Sequence, residues 1–312
     1  MKDYLQVLDL TSDDLAHLLD LAVEARELPH LRDRLLDGEI VFCYFSKPST
    51  RTRVSFAAAI SHLGGEAEFV GPAELQLDRG ETIEDTAMVV SRYASAAVIR
   101  TFEHSDVTRF AAAATIPVIN ALTNLHHPCQ ALADVLTMRE RFGHLEGLRL
   151  AYVGVGNNVS HSLIQAAALG GMHIVVATPL DLAPDAGIVD GATEEADRTG
   201  GSVSVVTDPL EAVKEADVVY TDVWLSMGDP PEQRERRRRL LEPYRVDEEL
   251  MSAAAPSAIF MHCLPAHRGD EVVDAVLDGP SSVVGDQAEN RMHTEQALLV
   301  ALLTEELGGR SR

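Results

Sequence analysis

Residues 40–56 read Ile40-Val41-Phe42-Cys43-Tyr44-Phe45-Ser46-Lys47-Pro48-Ser49-Thr50-Arg51-Thr52-Arg53-Val54-Ser55-Phe56. The first six are apolar and have the length of a buried strand. Residues 54–63 are apolar and alanine-rich and read as a helix. Hydroxyls and guanidiniums therefore crowd a strand-to-helix turn, where free backbone N–H groups and the positive end of the helix dipole lie. Ser49, Thr50, Arg51 and Thr52 add side-chain donors there, and the combination suits a doubly charged phosphate. An ordinary helix cap followed by solvated arginines is the competing reading.

The pattern repeats on either side. A helix capped by Thr11-Ser12-Asp13-Asp14 runs to about residue 27. Strands are expected at 66–70, 96–100 and 118–120, with helices at 82–93 and 107–114. A second alternation has strands at 150–153, 173–177, 203–206, 218–221 and 259–262, and a helix at 159–169. Such βα alternation predicts an α/β fold, here two doubly wound parallel-sheet domains with helices on both faces. A helix at 130–142 links them. A C-terminal helix, about 289–307, returns to the first domain. The boundaries expected are 1–134, completed by 290–312, and 135–289.

The 312 residues suit two domains, and 46% hydrophobic content is enough to build their cores. No apolar run reaches the roughly 18 residues of a membrane span. No signal-peptide pattern opens the chain, so the expectation is a cytoplasmic protein without a membrane partner. Cys43, Cys129 and Cys263 are too widely spaced for a disulfide framework or a CxxC pair. A formal charge of −23 argues against nucleic acid. The only lysines are Lys2, Lys47 and Lys214, and an acidic, lysine-poor surface is compatible with a high-salt cytoplasm that screens self-repulsion.

Further polar clusters fall at predicted strand ends, where open α/β sheets bind ligands. Arg100 ends one strand and could reach the same anion as Arg51. His127-Pro128-Cys129-Gln130 opens a helix. An imidazole and a carboxamide three residues apart could both donate to a carbonyl oxygen and stabilise charge developing in acyl transfer. A capped helix start with a core cysteine is the alternative. Zinc held by His126, His127 and Cys129 is a rival whose spacing fits no common structural site.

Gly154-Val155-Gly156 follows a strand like half a dinucleotide fingerprint. However, Val159 stands where the third glycine belongs, and the next strand ends without an acid. These glycines are expected to allow a tight turn and a close backbone approach to a small ligand. Asp222-Val223-Trp224-Leu225-Ser226-Met227-Gly228 offers a carboxylate for an ammonium group, and a hydroxyl and backbone for a small zwitterion. The arginine-rich stretch 229–239 reads as a flap or a solvated face. In His262-Cys263-Leu264-Pro265 the thiol could be a nucleophile, an orienting group or inert.

In this order and at these spacings, Ser49-Thr50-Arg51-Thr52-Arg53, Arg100, His127-Pro128-Cys129-Gln130, Asp222 with Ser226-Met227-Gly228, and His262-Cys263-Leu264-Pro265 resemble the aspartate/ornithine transcarbamylase family, on its ornithine branch. The likeness covers essentially the whole chain. It implies attack of the δ-amine of L-ornithine on carbamoyl phosphate, giving citrulline and phosphate without metal or cofactor. Ser49, Thr50, Arg51, Thr52 and Arg100 would hold the phosphate, and His127, Gln130 and Arg291 the carbamoyl group. Asn158, Asp222, Ser226, Met227, Cys263 and Leu264 would hold ornithine, with Cys263 and Asp222 orienting the amine. The first domain would be the carbamoyl phosphate domain and the second the ornithine domain. Family members are trimers or assemblies of trimers, and Gln76 matches a loop residue donated by a neighbouring subunit.

Two departures stand out. Phe45-Ser46-Lys47 replaces the family's usual Phe-Glu-Lys, and the turn at 154–158 is shorter than in many relatives. Rival readings are a sister transcarbamylase for putrescine or a modified ornithine, a catalytically silent relative, and a dinucleotide oxidoreductase.

Overall fold

The computed structural model describes residues 1–77, 80–225 and 234–308. The chain divides into two compact units, Met1–Leu136 with Glu289–Arg312, and Thr137–Ala288.

The first unit carries α1 (Ser12–Glu27), β1 (Ile40–Phe45), α2 (Arg51–His62), β2 (Glu66–Val70), α3 (Ile83–Val90), β3 (Ala96–Arg100), α4 (His104–Ala113), β4 (Val118–Leu122) and the start of α5 (Pro128–Phe142). Its four strands are all parallel, in the order β2-β1-β3-β4. Val41, Phe42, Cys43 and Phe45 of β1 are all buried, so both faces are covered, as a parallel sheet requires. On one face Phe42, Ala97, Ile99 and Val118 pack with Ala87 of α3 and with Val107 and Phe110 of α4. The strand order reverses between β1 and β3, which makes the carboxyl ends of those two strands the natural ligand crevice.

At the other end of the chain, α12 (Val284–Leu303) belongs to this unit from Glu289 onward. There Gln296 donates to the Pro29 carbonyl at 2.9 Å and pairs with His62 at 3.2 Å. Helix α12 begins five residues before the expected 289, because Val284-Gly285-Asp286-Gln287-Ala288 contains a glycine that weakens the helical pattern there.

The second unit carries β5 (Arg149–Val153), α6 (Asn158–Leu169), β6 (His173–Ala177), α7 (Ala186–Thr199), β7 (Ser202–Val206), α8 (Pro209–Val213), β8 (Val218–Thr221), α9 (Arg234–Leu241), α10 (Glu248–Ser252), β9 (Ile259–His262) and α11 (Asp274–Leu277). Five parallel strands lie in the order β7-β6-β5-β8-β9, with the reversal between β5 and β8. Trp224, Leu241, Tyr244 and Phe260 are central to its core.

Two differences from the sequence expectation are physical. Residues 186–199 form a helix although alanine, glycine and acidic residues blur its apolar stripe; Asp185 caps it by accepting Ile188 N–H. Much of the arginine run is helical, because i,i+4 pairs such as Glu235–Arg239 at 3.0 Å favour α9.

Candidate active site

In the first unit, β1 delivers the turn 46–50 to the N-terminus of α2. The backbone of Ser46 donates to the Arg100 carbonyl at 2.9 Å, which ties the end of β1 to the end of β3. Thr50, the residue before α2, forms no side-chain cap, and the first turn of the helix contains no acid. Its N–H groups and dipole therefore keep their positive character for a ligand. Arg100 is buried at the strand end.

His127 is fixed from behind. Thr123 accepts the His126 N–H at 3.1 Å and its own N–H bonds the His126 carbonyl at 2.8 Å, forming a tight turn that sets Pro128 as the first residue of α5. Burial, and then the charges of Arg291, Arg100 and Arg51, push the His127 imidazole well below its usual range. Arginines from α12, β3 and α2 thus converge on one neutral imidazole. Lys47 joins them. Burial and Arg100 lower it to about 8, and its ammonium lies 3.6 Å from the Phe102 ring centroid.

Gln130 is held from within its own helix. Its Nε2 donates to Asp134 Oδ1 at 2.8 Å, and a carboxylate can only accept, so the amide orientation is determined. The bond to Asp134 uses one of the two Nε2 protons, so Gln130 keeps a second N–H donor as well as its Oε1 acceptor. Arg291 Nη2 donates to Thr52 Oγ1 at 2.8 Å and to Glu295 Oε1 at 3.1 Å. Gln76 is exposed in the loop after the edge strand β2. Cys129 is a core thiol, donating to the Asn120 carbonyl at 3.4 Å and pushed up by burial, and among the described residues His126, His127 and Cys129 are not brought together as a group of metal-ligand atoms.

In the second unit, the turns after β5, β8 and β9 build another cluster. Cys263 Sγ donates to Asp222 Oδ1 at 3.0 Å, and Asn157 Nδ2 donates to Asp222 Oδ2 at 2.7 Å. Asn157 Oδ1 caps α6 by accepting Val159 and Ser160 N–H at 3.0 and 3.1 Å, which leaves Asn158 as the first helical residue. Leu264 holds φ at 56° and precedes a cis proline. Its N–H donates to His262 Nδ1 at 2.8 Å, and His262 Nε2 lies 3.3 Å from the buried carboxylate of Glu271.

Asp222, His262 and Cys263 have ligand atoms within 4.8 Å of one another. His262 cannot offer one freely: Nδ1 accepts a backbone N–H, so the proton sits on Nε2 and faces Glu271. The imidazole braces the 263–265 turn. Ser226 and Met227 lie outside the described residues.

Residues 2–140 match the family described as aspartate/ornithine carbamoyltransferase, carbamoyl-P binding domain, and residues 146–302 match its Asp/Orn binding domain. Ornithine carbamoyltransferase from Symbiobacterium thermophilum is 52% identical over 97% of this chain and 98% of its own length. The solved ornithine carbamoyltransferase from Pyrococcus furiosus superposes with a TM-score of 0.93 at 47% identity, over 99% of this chain and 98% of that one. The anabolic ornithine carbamoyltransferase from Campylobacter jejuni gives 0.92 at 36% identity, over 98% and 100%.

The chain belongs to the aspartate/ornithine carbamoyltransferase family.

Within this carbamoyltransferase chain, sequence reasoning missed several supporting residues. Asn157, Asp134, Glu271 and Glu295 touch the candidate residues from behind. A polar residue at N-cap position was the one visible signal for Asn157; the others emerge only when helices and strands meet. Gly156 also has a packing role. A Cβ there would lie 2.2 Å from Pro184 N and 2.5 Å from Ala183 C, so glycine at this position lets the chain pass its own loop.

Proposed function

We propose that this enzyme transfers the carbamoyl group of carbamoyl phosphate to the δ-amine of L-ornithine, forming citrulline and phosphate. The observation that carries this reading is the convergence of Arg51, Arg100 and Arg291 on a buried, neutral His127 in an otherwise acidic chain.

The first unit is the carbamoyl phosphate domain. Ser49, Thr50, Arg51, Thr52 and Arg100, with the α2 N–H groups, hold the phosphate. Lys47 adds charge. His127 donates to the carbamoyl oxygen, Arg291 supports it, and Gln130 Oε1 accepts from the carbamoyl NH2 group. The second unit is the ornithine domain, using Asn158, Asp222, Ser226, Met227, Cys263 and the Leu264 backbone. An alkylammonium titrates near 10.4, so the site must present the rare neutral amine. Asp222, with Cys263 bonded to it, orients that amine.

The amine nitrogen then bonds the carbonyl carbon, and negative charge collects on the oxygen that His127 faces. The C–O bond to phosphate breaks, its electron pair leaves with the phosphate, and the arginines take up the growing charge. The departing phosphate or the Asp222 cluster accepts the amine proton. Placing both substrates in line supplies much of the acceleration.

A homotrimer fits the exposed apolar side chains Val54, Met88, Val89 and Tyr93 of the first unit, Tyr93 being 73% exposed. In it Gln76 would serve a neighbouring subunit's phosphate site. Free thiols at all three cysteines suit the reducing cytoplasm. The anabolic label of the Campylobacter jejuni relative supports the citrulline-forming direction.

Two variants test the division of labour. Arg51→Ala removes a bidentate phosphate donor, so carbamoyl phosphate binding and turnover should be lost. Cys263→Ser should cut ornithine-dependent turnover and leave carbamoyl phosphate binding intact. Near-normal activity in the first, or equal loss of both properties in the second, contradicts the assignment.

A further inference from the structure

Behind the anion cluster lies a carboxylate that the transfer reaction does not use. Glu295 sits one helical turn after Arg291 on α12 and is 1% exposed. Its Oε1 takes the Arg291 Nη2 proton at 3.1 Å. The other Nη2 proton goes to Thr52 Oγ1 at 2.8 Å, in the first turn of α2. Arg291 is itself 3% exposed, and its buried Nε has no hydrogen-bond partner among the described residues. One edge of the guanidinium is thus anchored on Glu295 and Thr52, while a buried donor on another edge stays available for a ligand.

We propose that Glu295 is a proton-linked positioning residue for the anion site. Ionised, it neutralises Arg291 and holds the guanidinium against Thr52; protonated, it leaves the full charge of Arg291 to the anion. Anion binding therefore draws a proton onto Glu295. This rests on the reading of the Arg51, Arg100 and Arg291 group as the carbamoyl phosphate site.

The groups around Glu295 support the linkage. Burial raises it to about 7, against the opposing pull of Arg291 and the Ser55 hydroxyl of α2. Cys43 of β1 and Cys129 of α5 also feel its charge, and burial first pushes both thiols up, so neither titrates near neutrality. His127 stays neutral there. Lys47, at about 8, is mostly charged across this window and adds only a small part of the proton uptake at pH 7. An anion that raises Glu295 by about one unit loses roughly threefold in affinity between pH 5.5 and 7.5 and takes up about 0.4 of a proton at pH 7.

Sulfate is the probe, because it remains a dianion across this range. Calorimetry in two buffers of different ionisation enthalpy gives both its affinity and the protons exchanged. The wild-type enzyme should show the slope and the uptake. Glu295→Gln, which keeps an acceptor for Arg291, should lose both while still binding sulfate. Arg51→Ala should abolish sulfate binding at every pH. A Gln variant with the wild-type slope overturns the proposal, and so does a wild-type enzyme that takes up no proton at pH 7, whether or not the variant folds. Sulfate binding that ignores Arg51→Ala removes the anion site itself, and the proposal with it.

Discussion

His127 is a neutral imidazole that feels the charges of three arginines. A neutral ring still carries one N–H donor, which is what a developing oxyanion needs. His127→Ala should therefore lower kcat by about 10²–10³-fold, the cost of one such donor. The same environment fixes a pH effect. The unfolded chain protonates this histidine near 6.5, whereas the native site resists protonation until well below that. As pH falls below about 6.5 the unfolded state binds the extra proton, so His127 withdraws stability from the fold. Thermal unfolding of His127→Asn should accordingly lose less stability between pH 7 and 5 than the wild type does. A parallel decline in the two proteins would contradict a depressed histidine.

The β5–α6 turn joins fold and function in one short element. Asn157 caps α6 with its oxygen and holds Asp222 with its nitrogen. Asn157→Ala should destabilise the protein by about 1 kcal/mol through the lost cap and also raise the KM for ornithine through the freed carboxylate. Denaturant melts and steady-state kinetics read these separately; loss of stability with an unchanged KM would show that the Asp222 contact is incidental. Both parallel sheets were legible in the sequence because buried strands such as 40–45 and 259–262 are short apolar runs bounded by turn residues. The clusters at their ends were legible because strand ends at a reversal of strand order collect polar residues. What could not be read was side-chain commitment. The bond from Gln130 to Asp134 and the burial of Glu295 against Arg291 depend on side-chain geometry that residue order does not display. Residues 186–199 hid because small and acidic residues dilute the helical period.

At the scale of the whole molecule, 49 acidic residues face 26 basic ones. Exposed pairs such as Arg109–Glu84 at 2.8 Å and Arg268–Asp278 at 2.6 Å weaken when salt screens them, but so does the larger repulsion of the acidic excess. The repulsion should dominate, and the melting temperature should rise by on the order of 5 °C between dilute buffer and molar salt. A flat or falling response would separate the charge from any adaptation to salt. The cluster of Arg51, Arg100 and Arg291 around His127 is the exception within this field. The most direct test is citrulline formation from carbamoyl phosphate with ornithine, set beside product formation with putrescine, acetylornithine and aspartate. Ornithine should be turned over with a kcat/KM at least two orders of magnitude above every other amine. Equal or better turnover of another amine, or none with ornithine, would contradict the account.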